Sequence, residues 1–512
     1  MIDWLSLADG FSILLNWQIL LAVFGGMLLG LVIGVIPGMT AALGLAVILP
    51  LTFQMNALTA LVLMTSVYTG SLTGGGILAI LINTPGTPGA VATTFDGYPM
   101  TKKGLHNEAL GLQIAASVIG GTLSYIVLLL FIQPMTKLAL EFGPSEMLFL
   151  TIFVLVVIAA LQESHPERSL FAGLLGLMMS TIGTSTSSGL ERGTYGFDEL
   201  IDGLPLILCI IGMFAIPEMI SIITRKSIAG SDVDKSHDLH RLFHGARQAF
   251  GFRRTWLRGS FIGIFVGLLP AAGATLASLL SYALAQKTAT PDQKFGQGEP
   301  EAVVAAESAN NASEGGAMAI LLALGIPGSA ATAVILGAFM LHGLVPGGNL
   351  FLNNGPLVYG LILSNILQML FLGGFALLVA YNVARVVVIP SSVLVPVLII
   401  IVSLGAYSLR NFVFDVFLLY FFGMIGWFFR RYNFALVSFM IGLFLGRQLD
   451  EEIIRFIVLF GNTPADVLDR PIALAFILLT VLVIVFQLVS LFKTRSRNRG
   501  SGSPHPTRND PS

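Results

Sequence analysis

Long runs of apolar residues alternate with short polar stretches along almost the whole chain. The runs lie at residues 17–36, 41–53, 57–82, 109–133, 147–161, 170–187 and 200–223, then at 259–284, 315–341, 356–380, 386–405, 412–429, 434–446 and 471–492. Most of them approach the ~20 residues that an α-helix needs to cross a bilayer. The pattern predicts an all-α polytopic membrane protein with roughly 12 membrane segments.

Composition supports this prediction. Asp, Glu, Lys and Arg make up 11% of the 512 residues, and the mean hydropathy is +0.85, whereas about 25% of residues in a soluble domain are charged. Continuous apolar runs also differ from the alternating residues of an outer-membrane barrel. The net charge of -1 gives no electric field that would attract nucleic acid. The expected partner of the protein surface is therefore the lipid bilayer and not a polyanion.

The distribution of Lys and Arg predicts the orientation. Residues 224–258 contain eight of the 27 basic residues and residues 493–512 contain five, and basic loops stay in the cytoplasm. We therefore expect a basic cytoplasmic linker at 224–258 and a basic, disordered cytoplasmic tail at 493–512, beside transmembrane repeats at 1–223 and 259–492. No basic residue precedes Lys102, so we expect a periplasmic N-terminus and no cleaved signal peptide.

A glycine ladder recurs in the second half of the chain. At a spacing of 233 residues, Gly26, Gly30, Gly34, Pro37 and Gly38 correspond to Gly259, Gly263, Gly267, Pro270 and Ala271. Small residues at every fourth position favour close helix packing. Packing alone does not account for the matching prolines, so the ladder also indicates an internal repeat.

A second pattern follows each ladder. Residues 75–81 and 315–321 align at a spacing of 240, and each copy leads into a Pro-Gly-hydroxyl triplet, at 85–87 and 327–329. With an odd number of crossings in the first half, the second copy enters the membrane from the opposite side. The sequence therefore predicts two inverted-topology repeats with broken or re-entrant helix hairpins.

Helix breaks at matching places in inverted repeats indicate a substrate site near the membrane midplane. Half-helices that start after the prolines would direct backbone N–H groups and positive dipole ends into a cavity, which suits a carboxylate. The residues at the breaks form the predicted substrate-binding set, which is Pro37, Gly38, Asn83, Thr84, Pro85, Gly86, Thr87, Pro270, Ala271, Pro327, Gly328 and Ser329.

Four polar residues are the predicted ligands of a coupling cation. Asn310 and Asn311 lie in an otherwise small and apolar segment, where amides are costly unless partnered, and their oxygens suit Na⁺. Glu307 is an intramembrane carboxylate and leaves H⁺ open as the coupling ion. Asp96 either binds a cation or forms an Asp-Gly turn at the membrane edge.

No cofactor, structural metal or catalytic residue is expected. The sequence contains neither an HExxH nor a GxSxG motif, and we find no paired aspartates on facing helices. An intramembrane enzyme is therefore disfavoured.

The same stretches resemble the large membrane subunit of the tripartite tricarboxylate transporters. The resemblance lies in residues 30–50 (GLVIGVIPGMTAALGLAVILP), 80–104 (ILINTPGTPGAVATTFDGYPMTKKG), 212–218 (GMFAIPE), 306–312 (AESANNA) and 324–329 (LGIPGS). One departure is TGGG at 73–76, where many relatives have YGGS. At position 76 this chain has glycine where those relatives have a serine hydroxyl. The expected role of that hydroxyl therefore passes to Thr73.

The resemblance implies an importer of the bacterial inner membrane that couples carboxylate uptake to Na⁺ or H⁺ by alternating access. It also implies two partners outside this chain, a small four-helix membrane subunit and a periplasmic solute-binding protein that captures the carboxylate. Citrate and other tricarboxylates and dicarboxylates are the implied substrates. A channel, or a structural membrane subunit without coupled transport, stays open as the alternative.

Overall fold

The computed structural model describes residues 3–161, 165–185, 189–224, 238–383, 391–461, 467 and 469–500. The first half contains α1 (Trp4–Leu14), α2 (Trp17–Val35), α3 (Ala41–Ile48), α4 (Ala57–Ile82), α5 (Val91–Lys102), α6 (His106–Leu140), α7 (Pro144–Leu161), α8 (Pro166–Ser180) and α9 (Leu206–Thr224). A short antiparallel pair, β1 (Gly183–Thr184) and β2 (Glu191–Arg192), lies between α8 and α9. Single 3₁₀ turns span Leu49–Thr52, Pro88–Ala90 and Asp198–Leu200.

The second half is also helical. It contains α10 (Leu239–Ala249), α11 (Arg253–Gly267), α12 (Gly273–Lys287), α13 (Pro300–Leu324), α14 (Ala330–Leu341), α15 (Gly348–Asn353), α16 (Gly355–Val383), α17 (Ser391–Arg410), α18 (Val413–Arg431), α19 (Leu436–Phe460) and α20 (Pro471–Gly500). Eight of the described helices, α2, α4, α6, α7, α9, α16, α17 and α18, are long and apolar enough to cross a membrane. The prediction of an all-α polytopic membrane protein is confirmed, whereas the number of crossings stays a prediction.

Two helices form the centre of the fold. Every residue from 60 to 81 on α4 and from 302 to 323 on α13 is buried. The helix α2 packs along α4, and α11 packs along α13, in both cases through glycine. A Cβ on Gly30 would overlap the carbonyl oxygen of Val67, and one on Gly267 would overlap that of Ser313. The ladders therefore allow close backbone contact, as small residues do in membrane helices.

Breaks separate these long helices from the short ones that follow. The helix α4 ends at Asn83 and α13 ends at Gly325, both in the left-handed conformation, with φ of 56° and 74°. The break at Gly325 divides the predicted segment 315–341 between α13 and α14, and a break at 268–272 divides the predicted segment 259–284 between α11 and α12. Ile36 is extended before Pro37, as expected for a residue that precedes proline, and this ends α2.

The domain bounds predicted from the sequence stay predictions, and the structure adds helices to two of the predicted regions. The expected linker contains α10, which packs on α6 with a 2.6 Å bond between Arg241 Nε and Glu108 Oε1, while residues 225–237 lie outside the described residues. The helix α20 continues to Gly500, so residues 493–500 are helical rather than disordered. Residues 501–512 lie outside the described residues.

Candidate functional site

A cavity of about 430 Å³ lies where four helical segments begin. Residues 40–42 line it at the start of α3, 87–89 before α5, 271–275 at the start of α12 and 329–331 at the start of α14. The four breaks are far apart in the sequence, yet their N-terminal ends meet at one cavity. This is the arrangement that the prolines in the two halves predict.

The four helical starts differ in how their first N–H groups are satisfied. Ser329 caps α14 by accepting from the N–H of Thr332 at 3.2 Å, and Thr40 caps α3 by accepting from Leu43 N–H at 3.3 Å. In contrast, Thr87 before the 3₁₀ turn and Ala272 before α12 provide no side-chain cap in the described structure. Pro88 has no N–H, so Gly89 supplies the available backbone donor at the 3₁₀ turn, and Gly273 supplies the first one at α12.

Only part of the predicted substrate-binding set lines the cavity. Thr87, Ala271 and Ser329 do so. Gly86 and Gly328 lie behind the wall, packed on the carbonyl groups of Gly34 and Gly267. The other members of the set that are outside the lining are Pro37, Gly38, Asn83, Thr84, Pro85, Pro270 and Pro327. They belong to the breaks themselves, where they end a helix and turn the chain.

Five polar side chains of the cavity lining are absent from the predicted set, namely those of Thr40, Tyr68, Glu218, Thr275 and Arg430. Tyr68 on α4 reaches the cavity and lies 3.3 Å, hydroxyl to hydroxyl, from Ser329. Arg430 on α18 lines the wall and forms an ion pair with Glu218 on α9. The predicted substrate-binding set contains no Lys or Arg, so the guanidinium of Arg430 was not anticipated. The motif GMFAIPE ends at Glu218 and was the available signal for this part of the wall.

Glu307 on α13 is the centre of a buried polar cluster. Its Oε1 accepts from Thr93 Oγ1 at 2.5 Å. Its Oε2 accepts from Ser117 Oγ at 3.1 Å, Asn310 Nδ2 at 3.3 Å and Gln113 Nε2 at 3.4 Å. The side chain is fully buried. The carboxylate is therefore held by neutral donors, with no cationic side chain among these contacts.

Several buried oxygens around Glu307 have no hydrogen-bond partner within the described residues. These are Oδ1 of Asn310, Oδ1 of Asn311 and Oε1 of Gln113. Asn311 Nδ2 donates to Thr73 Oγ1 at 3.1 Å, which brings Thr73 into the cluster. Unpaired buried acceptors are costly, and oxygen ligands beside a carboxylate suit a hard cation. The ligand types at Glu307, Asn310 and Asn311 are therefore compatible with a cation, and the cation site stays a prediction.

The cluster lies directly behind the cavity wall. Gly89 lines the cavity, and a Cβ built on it would overlap Oδ1 of Asn310. Gly76 likewise leaves room for the side chains of Glu307 and Gln113, whose atoms lie 2.6 Å from a Cβ at that position. The absence of a side chain at Gly89 brings the candidate anion and cation sites into contact, and its absence at Gly76 lets the side chains of Glu307 and Gln113 approach α4.

Asp96 does not join this cluster. It lies within α5, so the predicted Asp-Gly turn is wrong. Its oxygens accept from the N–H groups of Gly296, Gly298 and Glu299 at 2.8 to 2.9 Å and from Tyr282 Oη at 2.8 Å. These donors satisfy the carboxylate and hold the loop before α13. The geometry does not favour the predicted cation-binding role.

Glu314 is a second buried carboxylate, two turns beyond Glu307 on α13. Its Oε1 accepts from Thr69 Oγ1 at 2.6 Å and from Tyr125 Oη at 2.7 Å. Gln368 Nε2 extends this cluster by donating to Thr69 Oγ1 at 2.9 Å. The two carboxylates occupy separate polar clusters on the same helix.

Comparisons with known proteins agree with the membrane architecture. A family model described as "Tripartite tricarboxylate transporter TctA family" matches residues 20–441. An uncharacterised 52.8 kDa protein of Agrobacterium vitis, from the TAR-I ttuC' 3' region, is 30% identical over 505 residues, which cover 97% of this chain and 98% of that protein. A second uncharacterised protein of the same organism, from the TAR-II ttuC' 3' region, is 30% identical over 239 residues, or 46% of this chain and 96% of its own. No solved structure matches this chain.

Proposed function

The chain belongs to the tripartite tricarboxylate transporter TctA family, and from this premise we propose that it is the large membrane subunit of a secondary active, cation-coupled importer. Its substrates are tricarboxylates or related carboxylates, with citrate as the first candidate. The chain acts as a transporter subunit and not as an enzyme. A periplasmic solute-binding protein delivers the substrate, and a small four-helix membrane subunit completes the complex in the bacterial inner membrane.

The observation that carries the proposal is the 430 Å³ cavity at four helical starts. Each helix N-terminus carries about half a positive elementary charge and unpaired N–H groups. The backbone N–H groups of Gly89 and Gly273 lie at starts with no side-chain cap in the described structure, so they are the proposed contacts of a substrate carboxylate. The cavity also falls within the roughly 300–1,000 Å³ of small-molecule sites.

Alternating access is the proposed mechanism, with two inverted repeats that move relative to each other. The helix contacts support the repeat. Gly74 packs on Gly34, and Gly316 packs on Gly267. The equivalent glycines are therefore 242 residues apart on α4 and α13, the same spacing as between Pro85 and Pro327. The sequence alignment used a spacing of 240. It therefore matches residues of α4 and α13 that are two positions out of register.

Coupling is proposed to occur at the Glu307 cluster. A carboxylate with neighbouring amide and hydroxyl oxygens favours Na⁺, and protonation of Glu307 is the H⁺ alternative. Either cation would neutralise a buried negative charge directly behind Gly89, beside the bound substrate anion. Binding of the cation would thereby lower the electrostatic cost of binding the anion, which is the coupling that a symporter requires.

Uptake of labelled citrate into proteoliposomes tests this function. The complete complex, with the binding protein present, is given an inward Na⁺ gradient, an inward H⁺ gradient, or no gradient. We expect accumulation above the external concentration only with a cation gradient, and none in an Asn310→Ala complex. Accumulation that is indifferent to every cation gradient would contradict symport, and equilibration without accumulation would support the channel alternative.

A further inference from the structure

The cavity wall contains one guanidinium, that of Arg430, among its described residues. Arg430 lies at the end of α18, and Glu218 lies near the end of α9, which packs along it. Arg430 Nη1 donates to Glu218 Oε2, and this is the one hydrogen bond that the described structure shows for the guanidinium. The side chain of Arg430 is 40% exposed, whereas that of Glu218 is 6% exposed.

The ion pair between Arg410 on α17 and Asp415 on α18 has a different arrangement. Arg410 donates through Nε and Nη2 to the two oxygens of Asp415, and through Nη1 to the Glu199 carbonyl oxygen. Each of its three nitrogens donates a hydrogen bond, and Asp415 is fully buried. Arg430 differs because it uses one nitrogen and faces the cavity. An arginine has five N–H donors in a planar fork that matches a carboxylate.

We propose that Arg430 binds a second carboxylate of the substrate, while Glu218 holds the guanidinium in position. This inference rests on the proposed function and narrows its substrate class. One carboxylate binds at the helical starts near Thr87 and Gly273, and another pairs with the free edge of the guanidinium. The site therefore selects dicarboxylates and tricarboxylates over monocarboxylates.

Binding measurements on the full-length chain in nanodiscs test this assignment, with citrate, succinate and propionate as probes in the presence of Na⁺. A charge-assisted hydrogen bond contributes about 1.5–3 kcal/mol, so Arg430→Gln is expected to weaken citrate and succinate binding roughly 10- to 100-fold. Propionate binding is expected to be weak and unchanged. Arg431→Gln is the matched control, since Arg431 is adjacent, exposed and outside the cavity lining.

A charge exchange separates substrate recognition from helix packing. The double variant Glu218→Arg with Arg430→Glu restores an ion pair between α9 and α18, so its thermal stability is expected to exceed that of Arg430→Glu alone. Citrate binding is expected to stay lost, because the cation has moved to the other helix. Wild-type citrate affinity in this double variant would show that the pair is only structural and would overturn the inference.

Glu218 needs its own readout as a positioning residue. Glu218→Gln is expected to reduce the preference for succinate over propionate, and Glu218→Asp to restore part of it. Wild-type affinity for citrate in a folded Arg430→Gln chain would overturn the inference while leaving the proposed function intact. A wild-type complex that neither binds nor accumulates any of the three probes would overturn both.

Discussion

The backbone N–H of Ala271 donates a hydrogen bond to the carbonyl oxygen of Gly328 at 3.0 Å. This bond joins the break between α11 and α12 to the break between α13 and α14, and so links two walls of the cavity. Ala271 has a φ of 62°, a left-handed conformation that is strained for alanine. The matching position in the first half is Gly38, which has a φ of 86° without this strain.

Replacement of Ala271 by glycine should stabilise the protein. Relief of the left-handed strain raises the free energy of unfolding by about 1–2 kcal/mol. The greater conformational freedom of glycine in the unfolded chain lowers it by about 0.5–1 kcal/mol. We expect Ala271→Gly to raise the unfolding temperature in nanodiscs. The matched change Gly273→Ala, at a φ of 64° with no atom within 4 Å of an added Cβ, should lower it. A lower unfolding temperature for Ala271→Gly would show that the left-handed conformation of Ala271 does not destabilise the protein.

Gly25 and Gly26 are neighbours on α2 with opposite surroundings. A Cβ on Gly26 would lie 2.7 Å from the Leu63 carbonyl oxygen, whereas one on Gly25 has no atom within 4 Å. Gly26→Ala should therefore separate α2 from α4 and cost about 1–3 kcal/mol. Gly25→Ala should be neutral or stabilising by up to about 1 kcal/mol. Thermal unfolding of the two variants measures the difference, and equal effects would argue against the helix contact.

The amide of Asn310 should be required for cation-dependent uptake. Asn310→Ala removes a donor to Glu307 and an unpaired oxygen from the cluster, so we expect loss of uptake in protein that still reaches the membrane. Ser313→Ala is the control, because Ser313 is buried on the same helix and donates only to the Asn310 carbonyl oxygen. Full uptake by the Asn310 variant would remove the cluster from the mechanism.

Asp96 should contribute to stability and not to cation affinity. Asp96→Asn weakens the acceptor of the bonds from the loop at 296–299, so we expect a lower unfolding temperature. The Na⁺ concentration for half-maximal uptake should be unchanged in the variant that remains folded. A changed Na⁺ dependence at unchanged stability would restore the cation-binding role that the sequence predicts.

The breaks and their meeting point could be predicted from sequence because proline and glycine act locally on the backbone. Pro37, Pro85, Pro270 and Pro327 each precede a new helical start, as their chemistry requires. Their repetition also indicated that the starts would face one another. Which residue of each break faces the cavity depends on how the short helices tilt, and so Thr87 lines it while Thr84 does not.

Other features depend on contacts between distant segments. Asp96 accepts hydrogen bonds from residues about 200 positions away, which no local turn pattern reveals. Arg430 and Glu218 are 212 residues apart, so no pattern within either segment shows that they form a pair. The sequence alignment of α4 with α13 was shifted by two positions. Both helices are rich in small residues, and these match in more than one register. The contacts between helices, and not residue identity, therefore show which positions of α4 and α13 are equivalent.

Substrate that binds in the 430 Å³ cavity should shield that cavity from a thiol reagent. Cys209 is the single cysteine of the sequence and is buried, so Cys209→Ala provides the background. Thr275→Cys places a thiol in the 430 Å³ cavity, and Asn349→Cys places one in a separate cavity of about 690 Å³. With Na⁺ present, citrate is predicted to slow modification at position 275 and not at position 349. Protection at position 349 alone, or at neither position in a complex that transports citrate, would contradict the proposed site.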